Sequence, residues 1–229
     1  MTRGEIITRF RQENPEITTN VATDSVLQSW AEIGNTETAV KARLIRGATE
    51  FSAIASKSAP DDAQYNLITQ IDKFYDIDEY PGGGVSYNGK RLTLTTPSQL
   101  DADKPGWRTA SSGTPTRYYR RNQYINLDPT ASGTSTIRVY TVLQPDDLDD
   151  NTKEPFNELE HLRPFHYALV LYLKMRAFAG KVKKLKTTMT AQKEYESYIN
   201  WIKKEVDRGI YQEINFTPPV SYRGISRTR

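Results

Sequence analysis

The stretch Gly84-Val85-Ser86-Tyr87-Asn88-Gly89-Lys90-Arg91-Leu92-Thr93-Leu94-Thr95 admits two readings, and the choice between them sets the class of the fold. Gly84 to Lys90 spells G-x-x-x-x-G-K, the outline of a phosphate-binding loop. Such a loop needs Ser or Thr after the lysine, to hold Mg²⁺, and then a helix whose N-terminus faces the phosphates. Here Arg91 follows, and Leu92-Thr93-Leu94-Thr95 alternates with the period of a strand. Asn88-Gly89 supplies the two positive-φ residues that a type I′ turn demands. The stretch is read as a hairpin, and Lys90 carries no nucleotide role.

Working outward, further β-rich runs surround it: Phe74-Tyr75-Asp76-Ile77, Tyr118-Tyr119-Arg120-Arg121, Tyr124-Ile125-Asn126-Leu127 and Ile137-Arg138-Val139-Tyr140-Thr141-Val142. Thr96-Pro97 has the form of a cap plus an N1 proline for one short helical turn through Leu100. Residues 49–149 are read as an inserted small antiparallel β domain. The run Gly82-Gly83-Gly84 is read as a mobile tip.

On both sides of this domain the spacing is helical. Thr2 and Glu5 form a capping-box pair before Ile6, Ile7 and Phe10, and Pro15 follows that helix. Thr23 caps a second helix, with Asp24 in its first turn, an apolar side of Val26, Leu27, Trp30 and Ile33, and Gly34 as its end. Asn35 or Thr36 caps a third helix through Val40 and Leu44 to Gly47. After Pro155, Phe156, Leu159, Leu162, Phe165, Leu169, Leu173 and Phe178 recur at helical steps, with Pro164 as a kink or restart. Gly180 punctuates. A long helix is then expected from Lys181 to Arg208, with Leu185, Met189, Tyr195, Ile199, Ile202 and Val206 as its apolar side, stopped by Gly209. The fold expected is α+β: a helical bundle from residues 1–48 and 150–209, the β domain at 49–149 between them, and an extended C-terminal arm at 210–229.

Composition narrows the function classes. The chain has 229 residues, 37% hydrophobic and 26% charged, which suits a globular protein with a real core. Lys+Arg 31 against Asp+Glu 28 gives only +3, too little for a dedicated nucleic-acid binder. Cysteine is absent, which removes disulfides, thiol nucleophiles and Cys-based zinc sites. No secretory leader or membrane-spanning run is visible, and folding in a reducing cytoplasm is expected.

The candidate chemical groups stay below a constellation. Asp72, Asp76, Asp78 and Glu79 are read as a solvated strand edge, since oxygen-ligand metal sites draw on several elements or a spaced loop. Glu158 and His161 have the i, i+3 spacing of a di-iron pair, but Arg163 stands where His166 would need its glutamate. Both histidines are read as polar residues on a partly exposed helix. No catalytic, cofactor or metal site is expected. Leu27 to Leu44 has the outline of a helix-turn-helix, and a DNA-binding protein of that type is the alternative function. Against it, Trp30 occupies the position where that motif carries a small residue, and the second helix would present Glu37 beside Lys41, Arg43 and Arg46. Lys181, Lys183, Lys184 and Lys186 form a basic run at a helix start, the unfavourable end for the dipole, and are read as facing DNA in a channel or an acidic partner.

The arm has its own composition. Ile210, Tyr211, Ile214, Phe216, Val220, Tyr222 and Ile225 follow neither period, and Pro218-Pro219 denies amide donors. From Asn215 onward there is no acidic residue, while Arg223, Arg227 and Arg229 give +3. Such a segment cannot bury enough of itself to offset its ordering entropy. Phe216, Pro218, Pro219, Tyr222, Arg223, Arg227 and Arg229 are therefore candidates for binding a partner.

Trp107-Arg108, Gly113-Thr114-Pro115-Thr116-Arg117-Tyr118-Tyr119, Ile125-Asn126-Leu127-Asp128-Pro129, Ile137-Arg138-Val139-Tyr140 and Pro145-Asp146-Asp147-Leu148 together resemble the central region of phage head-to-tail adaptor (connector) proteins. Phe74 to Tyr80 and Glu5 to Gly34 resemble that family too, and the likeness fades in the last twenty residues or so. The resemblance implies a structural virion protein and no enzyme. It implies a homo-oligomeric ring, commonly a dodecamer, bound beneath the portal protein at the head–tail junction and assembled in the host cytoplasm. The ring would extend the DNA ejection channel, let packaged DNA pass without sequence-specific binding, and offer a docking surface for tail or nozzle proteins. In this setting the arm residues become the expected portal-binding group.

Overall fold

A computed structural model describes residues 1–53, 64–79, 83–179 and 185–207, the side chains of 185 and 186 excepted. In chain order the elements begin with helices α1 (Arg3–Glu13) and α2 (Asp24–Ala42), strands β1 (Arg46–Ser52) and β2 (Tyr65–Asn66), and the one-turn helix α3 (Leu67–Gln70). Strands β3 (Phe74–Ile77), β4 (Val85–Tyr87), β5 (Lys90–Arg91) and β6 (Thr93–Thr95) lead to helix α4 (Pro97–Asp103). Strands β7 (Arg117–Arg121), β8 (Tyr124–Asp128) and β9 (Thr136–Leu143) follow, and then helices α5 (Tyr167–Ala177) and α6 (Leu185–Asp207). The protein is mixed α+β. Its described residues form two compact units, one from residues 1–45 with those from 144 onward, the other from residues 46–143.

In the helical unit, α1 starts at a full capping box. Thr2 Oγ1 accepts the Glu5 amide at 3.3 Å, and Glu5 Oε2 accepts the Thr2 amide at 2.9 Å. Ile6, Ile7 and Phe10 are buried. Thr23 caps α2, as its spacing from the apolar run suggests.

The expected break at Gly34 does not occur. α2 runs unbroken from Asp24 to Ala42 and closes at Arg43, which takes the left-handed conformation (φ 54°) and returns its amide to Ala39 and Val40. The expected third helix is thus the second half of α2, and β1 opens at Arg46, inside the stretch assigned to it. The buried side of α2 also differs from expectation. Leu27, Ala31, Gly34, Asn35, Thr38, Ala39 and Ala42 face inward, while Ile33 is 42% exposed. Small residues lie on that side because two tyrosines approach it. Tyr172 of α5 and Tyr195 of α6 are both buried, with ring centroids 5.5 Å apart. Tyr172 donates to Glu37 at 2.9 Å, and the Tyr195 hydroxyl lies 3.1 Å from Thr38 Oγ1.

The segment after Pro155 is not one helix. Short 3-10 turns occupy Phe156–Glu158 and Glu160–Phe165, and α-helix begins only at Tyr167, beyond Pro164. Phe156, Asn157 and Glu158 all have φ between 56° and 60°. That conformation is uncommon outside glycine and needs support from its surroundings. Buried Asn35 supplies it: Asn35 Oδ1 accepts the Phe156 amide at 3.0 Å, and Asn35 Nδ2 donates to the Asp146 carbonyl at 3.1 Å. Asn157 Oδ1 in turn accepts the Asp146 amide at 2.7 Å. On α6 the inward side is Ala191, Tyr195, Ile199, Ile202 and Val206, whereas Met189 is 51% exposed. Gly180, the expected helix start at Lys181, and Arg208 with Gly209 lie outside the described residues.

The β unit holds two sheets. One has the order β1-β9-β4-β5, with β3 also paired to β9, and its pairs are antiparallel. The other has the order β2-β8-β7-β6. In it β6 and β7 run parallel, matching Thr93 with Arg117 and Thr95 with Tyr119, so the unit is mixed and not purely antiparallel. Residues 96–116 connect these two strands, through α4 and a 3-10 turn at Trp107–Thr109, and that is long enough for the crossover a parallel pair requires. Thr96 caps α4 with Pro97 at its first turn, as expected. Asn88 (φ 49°) and Gly89 (φ 74°) make the β4–β5 turn, with Tyr87 opposite Lys90. Ile77, Val85, Tyr118, Ile125, Leu127, Ile137 and Val139 form the core of this unit.

Candidate functional site

The acidic cluster is not a solvated edge. Asp78 is buried, and its carboxylate lies 3.3 Å from Arg46 Nε at the head of β1. Asp76 pairs with Arg120 at 2.6 Å. Glu79 accepts the Tyr118 hydroxyl and stands 4.0 Å from Arg91. Burial, and then the hydrogen bond to Glu79, push the Tyr118 phenol far above its ordinary range. Only Asp72 is exposed. Each of the other carboxylates thus faces an arginine from another strand, on β1, β5 or β7, and the Asp76–Arg120 pair links the two sheets. Gly83 and Gly84 are buried and not a mobile tip: the Gly84 amide donates to Asp78 and its carbonyl accepts from Tyr140. Gly82 lies outside the described residues. Lys90 is exposed beside the hairpin turn and begins a strand, so no helix N-terminus follows it.

The histidines also differ from the sequence reading. His161 is half-buried, and burial lowers its pKa. His166 is fully buried, and its Nδ1 lies 2.8 Å from the amino nitrogen of Met1. An ammonium only donates, so Nδ1 accepts and the ring is neutral. Burial, and next the charge on that amino group, push His166 down to about 4. Among the described residues no group of three or more His, Cys, Asp or Glu side chains is placed to hold a metal ion. No helix among them is long and apolar enough to cross a membrane.

The helix-turn-helix alternative fails on geometry. Its turn was Gly34, and the backbone there is helical on both sides. Glu37, Lys41 and Thr38 sit on the same helix as Leu27, with Lys41 bound to Glu37 at 2.8 Å. Of the basic run, Lys186 lies in the first turn of α6 with its side chain undescribed, and Lys181, Lys183 and Lys184 lie outside the described residues. Phe216, Pro218, Pro219, Tyr222, Arg223, Arg227 and Arg229 lie outside them as well.

Sequence reasoning missed one surface of the helical unit. Arg9 of α1 stacks 4.6 Å over the Tyr167 ring, Tyr167 meets Tyr198 edge-on at 5.9 Å, and Tyr198 lies 5.1 Å from Trp201. Trp201 is 43% exposed although it also packs on Phe165. Arg, Tyr and Trp are the side chains that dominate contact energies between proteins. The only signal in sequence was the i, i+3 spacing of Tyr198 and Trp201; the rest comes from three helices meeting.

The fold defines a mixed α+β protein in which ion pairs such as Asp78–Arg46, Asp76–Arg120 and Lys174–Glu194 join separate elements. The family described as SU10 adaptor protein matches residues 1–217, and the chain belongs to that family of bacteriophage head–tail adaptors. No curated protein matches the chain.

Proposed function

We propose that this protein is a ring-forming head-to-tail adaptor, sitting beneath the portal at the head–tail junction of a tailed phage. The observation that carries this reading is the family match over residues 1–217. In it, a ring of copies, twelve by the family resemblance, extends the DNA ejection channel and offers its far side to tail or nozzle proteins. Packaged DNA passes without sequence-specific contacts. The work divides among the helical part (1–48 with 150–209), the inserted β part (49–149) and the arm (210–229).

A closed ring needs two different faces on each copy that fit one another head to tail. Ion-paired strands and a helical unit with exposed aromatic side chains suit such a role, because both present rigid surfaces. The arm supplies the portal contact through Phe216, Pro218, Pro219, Tyr222, Arg223, Arg227 and Arg229. Its aromatic and arginine content, with no acidic residue from Asn215 onward, favours an acidic, partly apolar partner surface. Lys181, Lys183, Lys184 and Lys186 face the channel or an acidic partner.

Truncation after Gly209 tests the anchoring role. The shortened protein is expected to keep its helical circular-dichroism signal and its melting temperature, and to fail to join the portal. Portal binding equal to that of the full chain would place the anchor elsewhere.

A further inference from the structure

The four-stranded sheet buries an unusual polar row. Thr95, Tyr119 and Asn126 stand opposite one another across β6, β7 and β8, and Arg117 stands opposite Asp128 two residues along. Paired residues share a sheet face, so all five point to the side covered by α4. There Leu100 and Trp107 pack on Tyr119, while Asp103 and Lys104 reach Arg117 and Asp128. Asn126 and Asp128 are 0% and 1% exposed. Among the described residues, neither Asn126 Nδ2 nor Asn126 Oδ1 has a hydrogen-bond partner, and Asp128 Oδ1 has none either. Arg117 satisfies the other Asp128 oxygen at 3.2 Å, but Lys104 Nζ stays 3.8 Å from Oδ1, outside hydrogen-bond reach.

Buried polar atoms in native proteins find partners, and where the chain supplies none an ordered small molecule does. The side chains define its chemistry. A metal cation is disfavoured by the two positive groups, Arg117 and Lys104, already at Asp128. An anion is disfavoured by the Asp128 carboxylate and the Asn126 carbonyl oxygen. Asn126 needs both a donor and an acceptor, and complete burial admits only a very small guest. We infer that Asn126 and Asp128 hold an internal water molecule, shared with Lys104. A water bridging two hydrogen bonds of about 2.8 Å joins atoms about 4.5 Å apart, within reach of two side chains that leave one strand face from positions about 6.5 Å apart. A buried water makes about two to four hydrogen bonds, and here it can donate to Asp128 Oδ1 and Asn126 Oδ1 and accept from Asn126 Nδ2 and Lys104 Nζ. Thr95, also buried with its Oγ1 unpartnered, lies beyond Tyr119 and is not part of this bridge.

A crystal structure of the full chain, at a resolution that shows ordered solvent, tests the site. One water-sized peak is expected within about 2.6–3.2 Å of both the Asn126 amide group and Asp128 Oδ1, without anomalous signal. Asn126→Leu is expected to remove that peak with the strands in place. Should this variant fail to fold, a solution measurement on the unaltered chain serves equally: a cross-relaxation signal from a long-lived water to the Asn126 side-chain amide protons. No peak and no such signal, or density that behaves as a metal ion or an anion, would overturn the inference.

Discussion

A Cβ added at Gly34 would lie 2.6 Å from Cδ1 of Tyr172 and 3.0 Å from its Cγ. That contact explains why a glycine stands in the middle of α2. The ring cannot swing away, since it is fully buried, stacks edge-on against Tyr195 and donates its hydroxyl to Glu37.

The first prediction uses this contact. Gly34→Ala gains about 1 kcal/mol of helix propensity. It loses about 1–3 kcal/mol to overpacking. Because the ring is held on three sides, the upper part of that range applies, and a net destabilisation of about 1–2 kcal/mol is expected from the two effects. Urea unfolding measures it. Combining Gly34→Ala with Tyr172→Leu should recover the propensity gain, giving a coupling that a helix-ending glycine would not produce.

Asp78 and Arg46 give the second. Their side chains are 9% and 11% exposed. Removing one member of a buried pair strands the other charge and costs about 3–5 kcal/mol. Asp78→Ala is expected to destabilise the β unit by about that amount, whereas Asp72→Ala, at an exposed position, should change stability by no more than about 0.5 kcal/mol. A solvated strand edge would make the two variants alike.

His166 sets a pH dependence. Its folded pKa is pushed down to about 4. In the unfolded chain a histidine titrates near 6.5. Between those values the unfolded chain binds a proton that the folded chain does not, so stability falls as pH drops from about 6.5 towards 4. Below about 4 this group adds no further loss. The full effect is about 3 kcal/mol, at about 1.4 kcal/mol per pKa unit. Unfolding free energies at pH 7 and pH 4.5 should differ more in the parent protein than in His166→Gln. An equal difference in both would assign the pH dependence to other groups.

What was legible in the sequence was local chemistry. The Thr2–Glu5 capping box, the Thr23 and Thr96 caps and the Asn88-Gly89 turn depend on residues a few positions apart, and each forms as read. What was missed depends on distant partners. Gly34 is explained by Tyr172, and the left-handed run at Phe156 to Glu158 by Asn35. Period two marks a strand without giving its direction, so the parallel pairing of β6 with β7 stayed hidden behind α4. Asp78 carries no mark in sequence that Arg46 will bury it. The aromatic surface at Tyr167, Tyr198 and Trp201 is equally non-local, since α1, α5 and α6 must meet to assemble it.

We propose that the protein is an adaptor built onto a portal. The most direct test mixes the full chain with the portal protein of the same virus and follows the mixture by native mass measurement and negative-stain imaging. The account predicts an annular complex in which copies of this chain form a closed ring, twelve by the family resemblance, on one face of the portal. A chain that remains monomeric or dimeric beside an undecorated portal would contradict it.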